Sequence, residues 1–554
     1  MTETTATPRT RWTRRAIGAA LALIATILVL VEQRNVGIAR DEVVYMQAGA
    51  GYADWWLGLI TFDHGIREHN ITLTFGGPGA TDHNREHPPV MKTLFGLSDK
   101  LLHRKLGVVD EVTAFRLPSA AMHGVAVALV YALALGLWGL AEAIVAALLL
   151  MLLPRALFHA GLACFDAPTM TLWLATVYAY LRALDGRRWP WQVGVLWGLA
   201  LGTKHTALLL PFALGAHYLI VAWRARPAGT WRVQAAAIIG YRWRVIVSLA
   251  VLGPLTLYVV WPWLWFDPIH HVRDWLAFHT NHVHYNYEYL GHNWNAPRFP
   301  WHVALVTTLF TVPAATVAAA LIGAGVWLAR PRPAHGAVLL LALSAAASIG
   351  PFVLGTTPIF GAEKHWMPVL PTICLAAAVG AVWAARAVAA AILAVPARIA
   401  IAVVAGCVVL ASVVETQVAE PYALTWYNTL AGGAPGAADL GMNRQFWGVA
   451  MRGVLPVLVE QGAPATPGAR TYVYTHDAAP AWGMYQRLGL VPPTLLDAGW
   501  EQTGIDRSQL AVVIHERHFN RHDYLIWKSY GTVQPSFVLR SAGVPIVSLY
   551  RRPR

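Results

Sequence analysis

The sequence predicts a mostly α, polytopic membrane protein of about eleven transmembrane helices. It adds interfacial helices in the outside loops and a small C-terminal extracytoplasmic α/β domain. Three observations carry this prediction. Of 554 residues, 56% are hydrophobic and only 13% charged, where a soluble domain carries about 25% charged residues. Apolar stretches near the roughly 20 residues needed to cross a bilayer recur along the chain. Arginine falls into alternate connections between them, except the tight one near 139.

The apolar segments lie near 14–36, 114–138, 140–158, 167–184, 190–204, 206–223, 245–263, 302–329, 337–357, 367–385 and 399–416. With the N-terminus inside, the cytoplasmic side receives Arg9, Arg11, Arg14 and Arg15, then Arg182, Arg187 and Arg188, then Arg224, Arg226, Arg232, Arg242 and Arg244. Arg330, Arg332, Arg386 and Arg398 complete the set, as the positive-inside rule requires. Residues 41–112, 261–301, 361–366 and everything after Glu415 face the other side, so a multi-pass protein of the inner (plasma) membrane is expected, with its C-terminus extracytoplasmic. The N-terminal arginines and the apolar run 16–31 have the outline of a signal peptide, with Gly37-Ile38-Ala39 near a cleavage point; the spans that follow favour an uncleaved first helix. The net charge of +13 is spread over these connections rather than gathered in one patch, so no nucleic-acid partner is expected. Cys164, Cys374 and Cys407 are far apart and in or beside apolar segments, where cysteine acts as a small hydrophobe.

Residues 1–419 form the expected transmembrane module, with a first outside loop over 40–113; residues 420–554 form the expected α/β domain. In 41–60, Val44, Tyr45, Ala48, Tyr52, Trp55, Trp56 and Leu59 recur near helical spacing and predict an interfacial helix. A second is expected over 90–106, and Asp267-Pro268 opens a third through about His282. Strands are expected at 471–475, 510–514 and 546–550.

The candidate site residues cluster on the outer side. Asp41 and Glu42 follow the first span; a carboxylate there can take a proton from an acceptor hydroxyl or bind a divalent cation, and a solvated acid pair ending a span is the plain alternative. Adjacent helical residues point about 100° apart, so the two acids serve different purposes. Residues 85–92 read Arg-Glu-His-Pro-Pro-Val-Met-Lys. The prolines stiffen the chain around Glu86 and His87, which offer oxygen and nitrogen to a metal, while Arg85 and Lys92 offer cations to a phosphate. A rigid turn into an interfacial helix would look the same. Asp166 lies at a helix start, where it serves as N-cap, as functional carboxylate, or as both. Lys204 with His205, and Lys364 with His365, are candidate phosphate or sugar contacts beside spans; a snorkelling lysine is the alternative at Lys364. The loop 261–301 carries His270, His271, His279, His282, His284 and His292 among aromatics, which suits a carbohydrate site or an interfacial belt.

In order and sidedness these residues resemble the GT-C superfamily of lipid-carrier-dependent glycosyltransferases, in particular the protein O-mannosyltransferase and aminoarabinose-transferase branch of family 39 type. The resemblance rests on the acid pair after the first span, His87-Pro88-Pro89 with Lys92, Asp166, Lys364-His365, and the segment YALTWYNTLAGG at 422–433. It covers about the first 435 residues. It departs at Val90-Met91, where the eukaryotic members read Leu-Gly. The resemblance implies a polyprenyl-phosphate-linked monosaccharide as donor, an acceptor hydroxyl on a lipid, glycan or protein, and inversion at the anomeric centre. Asp41 would be the base, and Arg85, Lys92 and Lys364 would hold the leaving phosphate. Glu86, His87 and Asp166 would support the sugar or a divalent metal cation. The rival class is a transporter or flippase of lipid-linked sugars, which places its ionisable residues near the bilayer midplane and often shows internal repeats. A membrane scaffold whose C-terminal domain binds a partner is a third.

Overall fold

The computed structural model describes residues 8–76, 80–186, 189–329, 335–392, 395–464, 466, 468–499, 501–516 and 521–553. Arg187, Arg188, Arg330 and Arg332, part of the charge pattern above, lie outside them. Among the described residues seven helices can, by length and composition, cross a membrane: Arg9–Asn35, Glu111–Leu137, His205–Ala225, Trp243–Val260, Gly336–Val353, Met367–Ala391 and Ala397–Ala419. Two bent pairs raise the number to nine if each is one span. Leu140–Met151 and Pro154–Ala160 meet at 65°, and Val303–Thr311 and Ala314–Ala329 at 118°.

The eleven expected spans are therefore met in part. The segment 190–204 yields only the short helix Trp191–Leu201, and 167–184 becomes Asp166–Asp185. The segment 302–329 is broken at Val312-Pro313, where proline supplies no N–H to continue the ladder. That break leaves carbonyls without helical partners, a cost that something must offset. Asn428 does so, reaching in after the last span: its Nδ2 donates to Leu309 O at 2.7 Å and Val312 O at 2.6 Å, and its backbone N–H to Phe310 O at 2.9 Å.

Two connections shape the site. The helix Arg40–Ile60 follows the first span as the aromatic spacing predicts, and Val90–Ser98 crosses it. The crossing is close because both contact points are glycine. A Cβ on Gly49 would lie 2.3 Å from Lys92 O, and one on Gly96 would lie 1.9 Å from Gly49 O. The helix Pro268–Thr280 begins as expected, with the Asp267 side chain accepting from His270 N.

Near the C-terminus a five-stranded sheet forms from β3 (Thr471–Tyr474), β4 (Leu495–Asp497), β5 (Leu510–Ile514), β6 (Phe537–Ser541) and β7 (Val544–Arg551), after a short hairpin of β1 (Tyr287–Tyr289) and β2 (His292–Trp294). The order is β4-β3-β5-β7-β6, with β3 parallel to both neighbours and β7 antiparallel to both of its own. The central strand β5 is buried at every position, which its uninterrupted Leu-Ala-Val-Val-Ile run requires. The three expected strands are present. Three-residue β4 and half-buried β6 carry no comparable run.

Candidate active site

The two adjacent acids have opposite fates. Glu42 is completely buried. It accepts from Arg116 Nε at 2.8 Å and Nη2 at 2.7 Å, and from the backbone N–H of Ala39 at 2.8 Å and of Ala163 at 2.7 Å. Arg116 spends its remaining donors on carbonyls of the preceding turn, including Gly37 O at 2.7 Å. Both oxygens of Glu42 are thus occupied by fixed donors, and the carboxylate has no face left for a substrate. The expected catalytic role for Glu42 gives way to a structural one: it locks the start of the helix to the Glu111–Leu137 span and to residue 163.

Asp41, about 100° around the same turn, keeps 28% of its side chain exposed. Its Oδ2 accepts from the indole Nε1 of Trp447 at 2.7 Å, and its Oδ1 lies 3.6 Å from Arg40 Nε. A carboxylate held on one oxygen by the indole, loosely paired on the other with Arg40 and still partly exposed, can receive a proton.

Lys364 comes from the turn Ala362–His365, entered through Gly361 at φ 84°. Its Nζ lies 4.1 Å from the centroid of the Trp447 ring, 5.0 Å from Phe360 and 5.6 Å from Phe446. Burial pushes the ammonium pKa down, while the charges of Asp41 and Asp166 act the other way. Asp166, at the first turn of its helix, accepts from Lys204 Nζ at 2.6 Å, and the same ammonium reaches Lys364 O at 3.4 Å. Asp41, Asp166, Lys204 and Lys364 are therefore brought together from four separate stretches, with Trp447 between Asp41 and Lys364. Tyr45, one turn after Asp41, faces the same group, and burial first and then these carboxylates keep its hydroxyl protonated.

Residues 82–92 are fixed from within. Lys92 is inaccessible and donates to Asp82 Oδ2 at 2.7 Å and Asn84 O at 2.6 Å; Tyr52 also donates to Asp82. Burial lowers the Lys92 pKa against the opposing pull of Asp82. Its expected phosphate contact is replaced by a loop-closing ion pair. Arg85 is exposed and lies over the ring of Trp263, 5.4 Å from its centroid. His365 is tied to its own turn through Phe360 O at 2.6 Å, and burial holds it neutral well below the usual imidazole range, so it supplies no cation.

Glu86 and His87 were the expected metal ligands. Burial raises the Glu86 pKa, and its Oε1 already accepts from Asn84 Nδ2 at 2.6 Å. His87 is held neutral by burial first, and its Nδ1 is buried without a partner. Its ring packs against Tyr45 and Phe165, and His205 stacks on His279 at 3.6 Å. Among the described residues no three His, Cys, Asp or Glu side chains converge as a metal-ligand group. Two groups, one already hydrogen-bonded, do not make a cation site, and no step below passes through a metal. Of the histidines in 261–301, His279 reaches this region, meeting Glu86 O at 3.1 Å, and His282 stacks on Phe360, whereas His271 packs on Trp263.

Four residues of this centre carried no expectation: Asp82, Arg116, Arg155 and Trp447. Arg155 is buried and donates to Glu363 at 2.8 Å and to the carbonyls of Leu424 and Trp426, pinning the turn that carries Lys364 to the segment after the last span. Arg116 and Arg155 are arginines inside apolar segments, a signal that the sequence did offer. Nothing in sequence distinguishes Trp447 from the other tryptophans.

Residues 86–261 match the family model described as dolichyl-phosphate-mannose-protein mannosyltransferase. The fold is similar to that of ArnT from Cupriavidus metallidurans in the apo state, at 14% identity over 98% of this chain and 98% of that one, with a TM-score of 0.51. The same protein bound to undecaprenyl phosphate aligns at 15% identity over 96% and 97%, with a TM-score of 0.47. The oligosaccharyltransferase AglB from Archaeoglobus fulgidus, solved with an inhibitory peptide and a dolichol-phosphate, aligns at 12% identity over 94% and 72%, with a TM-score of 0.48. No curated protein matches in sequence.

Proposed function

We propose that this chain, which has the fold and a central family segment of the GT-C lipid-carrier-dependent glycosyltransferases, transfers a monosaccharide from a polyprenyl-phosphate carrier to an acceptor hydroxyl. The reaction takes place on the extracytoplasmic face of the inner (plasma) membrane, with the N-terminus cytoplasmic, and inverts the anomeric centre. The observation that carries the proposal is the pairing of one half-open carboxylate, Asp41, with one buried ammonium, Lys364, whose Nζ has no hydrogen-bond acceptor among the described residues.

Each group has one task. Asp41 takes the proton of the acceptor hydroxyl as its oxygen bonds to the anomeric carbon. The bond from that carbon to the phosphate oxygen breaks, and the polyprenyl phosphate leaves with the electron pair. Lys364 faces the charge that develops on the phosphate, in a site where little water screens it. Asp166 and Lys204 neutralise each other and hold the Lys364 turn in place. Glu42 and Lys92 position the two ends of the first outside loop.

Purified protein incubated with a panel of polyprenyl-phosphate sugars, with and without chelator, tests the proposal. The expected result is transfer from one donor, with the anomeric configuration of the product opposite to that of the donor. Retained configuration would contradict the single displacement. Consumption of no donor would return the chain to the transporter class.

A further inference from the structure

We propose that Trp447 is a positioning residue of this transfer reaction: its indole holds the Asp41 carboxylate on its N–H edge and the Lys364 ammonium on its ring face, and so keeps the two from pairing with each other. The inference rests on the function proposed above and adds a residue outside the matched family segment, which ends at residue 261.

Opposite charges in a poorly hydrated site attract strongly. If Asp41 and Lys364 closed into a salt bridge, the base would lose the oxygen that now lies 3.6 Å from Arg40 Nε, and the cation its capacity for phosphate. They form no such bridge among the described residues. The indole N–H takes Asp41 Oδ2 at 2.7 Å, and the negative face of the same ring lies 4.1 Å from Lys364 Nζ. One side chain thereby satisfies both charges in part, and the other oxygen of Asp41 is held only loosely, 3.6 Å from Arg40 Nε.

Trp447 is itself firmly held. It is 3% exposed and has φ 72°, a left-handed conformation costly for a bulky residue that persists only where the surroundings impose it. Its carbonyl accepts from Arg40 N at 3.0 Å, so the residue fixes the backbone just before Asp41 as well as the Asp41 side chain. The next residue, Gly448, donates to Glu516 Oε1 at 3.2 Å, just beyond strand β5. On the other side the approach needs glycine: a Cβ on Gly37 would lie 2.0 Å from Val449 O. The C-terminal part of the chain is in this way joined to the first turn of the helix that bears Asp41.

The test compares kcat and donor KM for W447F, W447H and W447M, each first shown to elute as a single species in detergent. W447F keeps a ring for Lys364 but loses the N–H. Its kcat should fall roughly tenfold, the value of one hydrogen bond to a charged group, with donor KM within about twofold of wild type. W447H restores an N–H donor and should recover part of that kcat. W447M lacks both and should also raise donor KM by about fivefold or more. If W447F does not purify as one species, the W447M prediction of both changes stands alone. Unchanged kcat in W447F, or W447M with wild-type kcat and KM, would overturn this inference while leaving the transfer reaction intact. Failure of the wild type to use any donor would overturn the reaction and this inference together.

Discussion

Replacing Glu42 with Gln and, separately, Asp41 with Asn should separate architecture from chemistry at two neighbouring positions. Glu42 receives four hydrogen bonds at 2.7–2.8 Å, two of them from the Arg116 guanidinium. A glutamine keeps one acceptor oxygen but turns an N–H₂ towards donors that have no lone pair to offer. It also leaves a fully buried guanidinium without its counter-ion. Removing one partner of a buried ion pair costs about 3–5 kcal/mol, a large share of the roughly 5–15 kcal/mol that holds a protein folded. Asn at position 41 keeps an oxygen for the Trp447 N–H, and the site is partly open. Stability should therefore change by about 1 kcal/mol or less, well below the E42Q loss. The rate should fall about 10²–10⁴-fold, the usual share of a general base. Thermal unfolding in detergent, followed by intrinsic tryptophan fluorescence, reads the first quantity, and sugar transfer normalised to folded protein reads the second. An E42Q protein as stable as wild type but inactive would refute the division of roles. So would a D41N protein that unfolds many degrees lower.

Three further outcomes are expected. In K364M, kcat/KM for the donor should fall roughly tenfold to a hundredfold, the worth of one charge-assisted hydrogen bond; an unchanged kcat/KM would remove Lys364 from the phosphate. D82A strands the buried Lys92 ammonium and should destabilise the loop 82–92 by about 3–5 kcal/mol, seen as faster protease cleavage between residues 61 and 92; wild-type cleavage rates would contradict the clamp. Burial pushes His279 from its ordinary 6.5 down to about 4, so the unfolded chain takes up that proton first as pH falls. The stability is complete above pH 6.5 and is lost progressively between about 6.5 and about 4. H279Q should show a shallower loss over that window, and an unchanged slope would show that His279 is not held neutral.

The fold was legible wherever the sequence carried a long-range pattern. Apolar length outlined most spans, and aromatic spacing over 41–60 outlined the helix that bears Asp41. What was hidden depended on pairwise contacts. Pro313 does not announce a 118° turn, because the broken end is made tolerable by Asn428, more than a hundred residues later. Lys92 looked like a phosphate cation because its counter-ion, Asp82, sits in a loop with no periodicity to mark it. Glu42 and Asp41 are equivalent in sequence, and their separation follows from the 100° step of a helix that has one face toward Arg116 and one toward an opening. Asp166, Lys204 and Lys364 were recognisable singly as costly charges beside apolar segments. Their meeting, and the indole of Trp447 between Asp41 and Lys364, belong to tertiary packing alone.

Release of polyprenyl phosphate is the step in which the proposed role of Asp41 is read most directly. Wild-type and D41N protein, reconstituted in lipid and given the same polyprenyl-phosphate sugar and acceptor, should differ in one respect. The wild type should release polyprenyl phosphate in step with glycosylated acceptor, and D41N should release about a hundredfold less or lower still while remaining folded. Equal release by the two proteins would contradict Asp41 as the base, and release by neither would contradict the transfer reaction itself.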